Sequence, residues 1–276
     1  MPECFPRSAA LPNQSPLFWV SHKDRYLRQL LISDIEAETG RSLIVYFTDC
    51  DNSAAQIDQS DDAYLSELLT SCIGRSVDLM LETNGGATDA TEKICAILRA
   101  TAPDLRVIVP RRAKSNGTVV ALCGQLILMG VESELGPIDP SINGIPVEFI
   151  LNAPAGSFTA LDIQVADTFR KQTRKLAKVL LQSGMLQAFT EADIDVLVAK
   201  IATRDHYHSH GSVIDAAEVA ALGLKVQFFP PDDQLWRKLW LLRTMYQYDC
   251  AASRYTKLFE GSRVSTAVTA PPPKVP

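Results

Sequence analysis

The chain has 276 residues, a hydrophobic fraction of 46% and a formal net charge of −5, enough for one large domain or two small ones with a substantial core. The acidic balance argues against a nucleic-acid binder, which carries a basic stripe, and no run of about eighteen apolar residues is present, so no membrane span is expected. Cys4, Cys50, Cys72, Cys95, Cys123 and Cys250 form no CxxC pair, so they read as small buried hydrophobes of a reducing cytoplasm and not as a disulfide framework or zinc ribbon.

Residues 1–15 hold three prolines and little periodicity and read as a loose segment. No basic stretch is followed there by an apolar one, so no secretory signal is expected. Tyr26, Leu27, Leu30, Leu31 and Ile35 fall at helical spacing and predict a helix over 23–38. Leu43–Phe47 is a short apolar run and reads as a buried strand. Asp61 or Asp62 is placed to cap a helix carrying Tyr64, Leu65, Leu68 and Leu69. A strand follows at 77–81, ending at Gly85-Gly86, then a helix over 88–100 and a strand over 105–109. After Pro110 comes a serine turn, Ala113-Lys114-Ser115-Asn116-Gly117-Thr118, opening a helix of small residues. Strand 126–129 leads to Glu134-Leu135-Gly136-Pro137-Ile138-Asp139-Pro140. Helices are expected over about 158–184, 191–201 and 215–221, with a last strand at 225–229. Pro230-Pro231 breaks the chain. Asp232 or Asp233 then caps a helix carrying Leu235, Trp236, Leu239, Trp240, Leu242, Met245 and Tyr246, too apolar to stand alone in water. It must cover the body or a neighbouring subunit. The alternation predicts an α/β fold with a largely buried sheet. The expected divisions are a main domain over 16–229, a C-terminal helical segment over 230–260 and a disordered Pro-rich tail over 261–276.

Two stretches carry chemistry. A serine at a helix start and a glycine pair at a strand end are parts of an acyl-transfer site: one supplies a nucleophile, the other bare backbone N–H groups for an oxyanion. One helix plus one strand separates them, which places both at the same edge of adjacent strands. The plainer alternative is a serine N-cap and a Gly-Gly turn.

Leu81-Glu82-Thr83-Asn84-Gly85-Gly86, Val109 to Thr118, Met129-Gly130 and Ser133 to Pro140 together resemble the serine dehydrogenase proteinase family of the Clp protease/crotonase superfamily, related to signal peptide peptidase A. The resemblance extends from about Pro16 to Val226. It implies a spiral of strand–strand–helix units and a serine peptidase acting on peptides or unfolded proteins. Ser115 is the implied nucleophile, with the Gly85–Gly86 backbone in the oxyanion hole and Asn116 beside it. It also implies a homo-oligomer that shelters its sites. The family usually has proline at the position of Asn84 and a small residue at that of Asn116. These departures leave an inactive assembly or adaptor protein as one alternative; a crotonase-like acyl-thioester enzyme, using the same oxyanion hole for an enolate, is the other.

Several residues compete for the general base. His206, His208 and His210 alternate before a helix ending at Leu222-Gly223-Leu224. In the family a histidine precedes a similar helix, and His210 matches it best. On a strand the three rings would share one face and could bind zinc, although the reading adopted has no metal and no cofactor. Signal peptide peptidases use lysine, and Lys171 and Lys175 lie in the corresponding region. Lys114 adjoins the serine, but neighbouring side chains at a helix start point in different directions. Asp139 either orients a partner or sets a turn with Pro137 and Pro140. No GxxxxGK[ST] loop is present, so processive degradation would need a delivery partner.

Overall fold

The apolar runs predicted as strands lie side by side in one sheet. A computed structural model describes residues 15–269. The rest of the N-terminal segment and the Pro-rich stretch 270–276 lie outside the described residues. Helices α1 (Pro16–Ser21) and α2 (Lys23–Thr39) lead into β1 (Ser42–Thr48), followed by α3 (Asp61–Thr70), β2 (Val77–Glu82) and α4 (Thr88–Thr101). Next come β3 (Leu105–Val109), β4 (Arg112–Ala113), α5 (Asn116–Ala121), β5 (Leu126–Met129) and β6 (Glu134–Leu135). A small hairpin of β7 (Ser141–Ile142) and β8 (Ile145–Pro146) precedes α6 (Val147–Leu151), α7 (Ala160–Ser183), α8 (Glu191–Ile201) and α9 (Ala216–Ala221). Strand β9 (Val226–Phe228) and helix α10 (Gln234–Ser253) follow, and the described chain ends in β10 (Tyr255–Gly261) and β11 (Ser265–Thr269).

The seven-stranded sheet runs β11-β10-β1-β2-β3-β5-β9. Strands β1, β2, β3, β5 and β9 are parallel, while β10 joins β1 antiparallel and pairs antiparallel with β11. Helices cover both faces, which is why β1 and β2 are buried along their whole length. Successive side chains of β1 alternate between two cores. Leu43, Val45 and Phe47 pack with Ile32 and Ile35 of α2 and with Trp236, Leu239, Leu242 and Tyr246 of α10. Ile44 and Tyr46 face the other core, with α3, α4, α5, α7 and α8. Each large apolar side chain so buried contributes about 1.5–3 kcal/mol. The apolar helix expected to seek a cover has therefore found the sheet of its own chain.

A second, narrow layer crosses the C-terminal ends of the parallel strands. Ile57 pairs with Gly86, Thr83 with Ala113, β4 with β6, and Leu135 with Ile214. In β3–β4–α5 a long strand thus runs into a short one and then a helix, the strand–strand–helix unit of a ClpP-like fold. Four helix N-termini carry a side-chain cap: Thr159, Thr190, Asp215 and Asp233 each accept a backbone N–H three residues on.

Three expectations need correction. The C-terminal helix does not fill 230–260: it ends at Ser253, and 255–269, read partly as helix and partly as disordered tail, is the edge hairpin β10–β11. Neither Asp61 nor Asp62 caps α3. Ser60 takes that position without a side-chain bond, and the buried Asp61 carboxylate accepts from Tyr46 Oη (2.5 Å) and Lys257 Nζ (2.8 Å). Segment 206–210 is not a strand but a chain of turns. Among the described residues no helix is long and apolar enough to cross a membrane.

Candidate active site

Ser115 sits between β4 and α5 with φ +52° and ψ −123°. It is one of three described non-glycine residues with positive φ, a conformation that costs an L-residue about 1–3 kcal/mol. Its side chain makes no cap bond to the helix, so the N-cap alternative fails. The turn is held by one bond from outside and two within it. Lys114 N–H donates to Thr83 O (2.9 Å), Gly117 N–H to Lys114 O (2.7 Å) and Thr118 Oγ1 to Ala113 O (2.7 Å). Gly117 has no room for more: a Cβ there would lie 2.5 Å from Thr83 Cγ2. This strained strand-to-helix turn presents a serine in the manner of a nucleophile elbow.

Gly85 lies directly against that turn. Its φ is +98°, and a Cβ built on it would stand 2.9 Å from Ser115 Cβ, Asn116 N and Lys114 O. Gly86 meets Ile57 as closely, with a virtual Cβ 2.4 Å from Ile57 O. Ile57 N–H donates to Gly85 O and Ala87 N–H to Ile57 O, each at 2.9 Å. The first bond fixes the Gly85–Gly86 peptide and turns Gly86 N–H away from Ile57, since N–H and C=O of a trans peptide point oppositely. Gly85 N–H is engaged by Thr83 Oγ1 at 3.1 Å. The amides of Gly86 and Asn116 donate to no protein acceptor among the described residues. Of the two glycines expected to offer donors, Gly86 has the free one, and Gly85 provides the close approach.

The two asparagines do not obstruct the serine. Asn116 is buried, and its Nδ2 donates to Gly86 O (2.5 Å) and Thr88 Oγ1 (3.2 Å), tying the serine turn to the glycine loop. Asn84 Nδ2 donates to Cys50 O at 2.7 Å. It needs no left-handed backbone, which falls to Gly85 instead.

Asp139 does not merely shape a turn. It is 2% exposed, and its carboxylate accepts from His210 Nδ1 at 2.7 Å and from Arg204 Nε at 2.8 Å. A carboxylate only accepts, so the shared proton of neutral His210 lies on Nδ1 and its Nε2 is left with a lone pair. The other two histidines go elsewhere: His206 Nε2 is 3.5 Å from Glu218, and His208 Nδ1 is 3.1 Å from Arg204 O. Three rings with three separate partners do not make the one-faced array a zinc ion would need.

Lys171 and Lys175 are not brought to Ser115. Both are exposed on α7; Lys171 pairs with Asp167 one turn away at 2.6 Å, and Lys175 borders a groove beside Glu92 and Arg99 of α4. The helical period alone does not say which face of α7 meets the core, and the structure turns Ala166, Thr173, Ala177 and Leu180 inward.

The segment after β5 is held at several points. A Cβ at Gly130 would lie 2.3 Å from the Trp236 ring. Ser133 Oγ donates to Val109 O (2.6 Å) and accepts Gly130 N–H (2.8 Å). Gly136 N–H donates to Thr118 Oγ1 at 3.0 Å. Glu134 receives Lys114 Nζ at 2.9 Å, and Asp139 receives His210. Sequence reasoning missed Thr83, Thr118, Ile57 and Arg204. Threonine and arginine are common at helix starts and surfaces and isoleucine in any core, and only the fold places Thr83 and Thr118 at the serine turn, Ile57 against the glycine loop and Arg204 on Asp139.

Residues 55–251 match the family described as ClpP-like SDH-type serine proteinase. The chain is 30% identical over 163 residues to an uncharacterized protein of Methanocaldococcus jannaschii, covering 58% of this chain and 56% of that one. It is 36% identical over 77 residues to a second uncharacterized protein of the same organism, covering 28% of this chain and 26% of the relative. The chain thus spans about half the length of the first relative and about a quarter of the second. With the strand–strand–helix layers and the serine turn agreeing with that match, the chain belongs to the ClpP-like SDH-type serine proteinase family.

Proposed function

We propose that this protein hydrolyses peptide bonds of peptides or unfolded proteins through an acyl-enzyme on Ser115, with His210 as general base and Asp139 as its orienting partner. The observation that carries this reading is the buried Asp139 carboxylate bonded to His210 Nδ1, joined through one chain segment to a strained serine turn. Ser115 Oγ attacks the scissile carbonyl carbon and His210 Nε2 takes its proton. Asp139 holds the ring tautomer and stabilises the imidazolium that forms. The amides of Gly86 and Asn116 receive the oxyanion, a contribution of about 10²–10³ in kcat for each donor. His210 then returns the proton to the leaving amine as the C–N bond breaks. A water, deprotonated by the same nitrogen, releases the acid and restores Ser115. No hydrogen bond joins Ser115 and His210, and catalytic bonds of this kind often tighten only in the complex with substrate.

Asn116 supports an active site over an inactive relative, because its side chain turns to Gly86 O and not over the serine. Casein cleavage by wild type and by Ser115→Ala tests the reading: wild type cleaves and the variant loses at least a thousandfold. Equal cleavage by both would refute it.

A further inference from the structure

Lys114 precedes the proposed nucleophile, and its ammonium reaches three acceptors on two other segments. Nζ lies 2.9 Å from Ser212 O, 2.9 Å from Glu134 Oε2 and 3.3 Å from Leu135 O. The side chain is 13% exposed. Its stem packs on Gly136, where a Cβ would stand 2.6 Å from Lys114 Cδ. An ammonium has three N–H groups, so all of them are matched and none is directed at Ser115. The bond to Ser212 O lands two residues beyond His210. That segment is held on its other side by Leu135 and Ile214, whose N–H and C=O groups exchange bonds of 2.9 and 3.1 Å.

We propose that Lys114 is a positioning residue: its ammonium joins the nucleophile turn to the histidine-bearing segment 210–214 and sets the distance over which the proton leaves Ser115. This rests on the peptidase reading above and adds the element that aligns its two halves. The His210 ring is bonded to Asp139, on the segment that follows β6, and its segment is tied to β6 four residues further on, at Ile214. The serine turn is secured through Thr83 and Gly117. Lys114 is the side chain that spans the two sets, and a buried charged residue satisfied by backbone carbonyls is suited to fixing a geometry. Misplacement of reacting groups by about 1 Å costs about 10²-fold in rate, which sets the scale expected when the strut is removed.

The experiment uses the full chain with Lys114→Met, which keeps the stem and deletes the ammonium, and Lys114→Arg, which restores donors. The first readout is amide hydrogen exchange; the second is the rate at which Ser115 is labelled by a fluorophosphonate, with kcat and KM on a casein-derived peptide. In Lys114→Met, exchange should accelerate at least tenfold across 209–214 while β1, β2 and β3 stay protected. Labelling and kcat should fall about 10–100-fold with KM within threefold, and Lys114→Arg should recover at least a third of the lost labelling rate on a logarithmic scale. Should Lys114→Met fail to fold, Gly136→Ala pushes the same stem aside and should reproduce the pattern. Unchanged exchange at 209–214 would overturn the strut, whatever the activity. Faster exchange with labelling at the wild-type rate would overturn its role in alignment. Absence of labelling and of cleavage in wild type would remove the peptidase reading, and with it any alignment to serve.

Discussion

Replacing Gly85 with alanine should separate the geometry of the site from the stability of the fold. The new Cβ would stand 2.9 Å from Ser115 Cβ, Asn116 N and Lys114 O, whereas carbon atoms rest at about 3.5–4.0 Å. Relief requires the serine turn and the glycine loop to part by about 0.6–1.1 Å, a displacement worth about 10²-fold in rate. The backbone at φ +98° adds about 1–2 kcal/mol of strain for a residue with a Cβ. Gly40 provides the matched control. It ends α2 with φ +69°, and a Cβ there meets nothing within 4 Å, so Gly40→Ala carries the conformational term alone, about 1 kcal/mol. The assay is kcat/KM on a casein-derived peptide together with thermal unfolding. Gly40→Ala should melt about 2–4 °C lower with activity within twofold of wild type. Gly85→Ala should lose at least 100-fold in kcat/KM while still folding. A folded Gly85→Ala within fivefold of Gly40→Ala would refute the claim that Gly85 sets the approach of the glycine loop to Ser115.

Asp139→Asn should cut kcat by about 10³–10⁴, since the amide can favour the wrong tautomer of His210, with circular dichroism unchanged. Lys171→Ala and Lys175→Ala, on the solvent face of α7, should leave turnover within twofold. Burial first, and then the negative charge of Glu82, pushes the Cys50 thiol up to about 12, and burial pushes Cys250 up to about 12. Thiolates are the reactive species, so neither should be alkylated by iodoacetamide at pH 8 until denaturant is added, as mass spectrometry would show. The Arg41 guanidinium beside Asp104 holds its carboxyl below the usual carboxylate range. That contribution is present above the unfolded value near pH 3.9 and is lost as pH falls through the folded value. Asp104→Asn should therefore be slightly less stable at pH 7, by about 0.5 kcal/mol or less for so exposed a pair, and the difference should shrink in acid unfolding as pH falls through the folded value.

The parallel strands were legible because each is a short apolar run between turn signals. Strands 105–109 and 126–129 coincide with β3 and β5, and helix 191–201 with α8. The hairpin β10–β11 was not. Tyr255–Gly261 carries Lys257 and Glu260, charges that break an apolar pattern, yet both are buried. Lys257 is 2.8 Å from Asp61 and Glu260 is 2.6 Å from Arg28, partners about two hundred residues away in the chain. Pairing across such separations leaves no local trace. The same holds at the site. Ser115 and the glycine pair stand out by their position at element boundaries, and His210 by resemblance. Arg204, Ile57 and Thr83 act through contacts that only the folded layers create. The two-residue strands β4 and β6 are too short for any period to register.

The central claim is that Ser115 is a nucleophile activated by His210. Its most direct test is to label the folded protein with a fluorophosphonate and map the adduct by peptide mass spectrometry in wild type, Ser115→Ala and His210→Ala. The account predicts one adduct, on Ser115, absent from Ser115→Ala and formed at least a hundredfold more slowly in His210→Ala. An adduct on another residue, or labelling of Ser115 at the wild-type rate without His210, would contradict it.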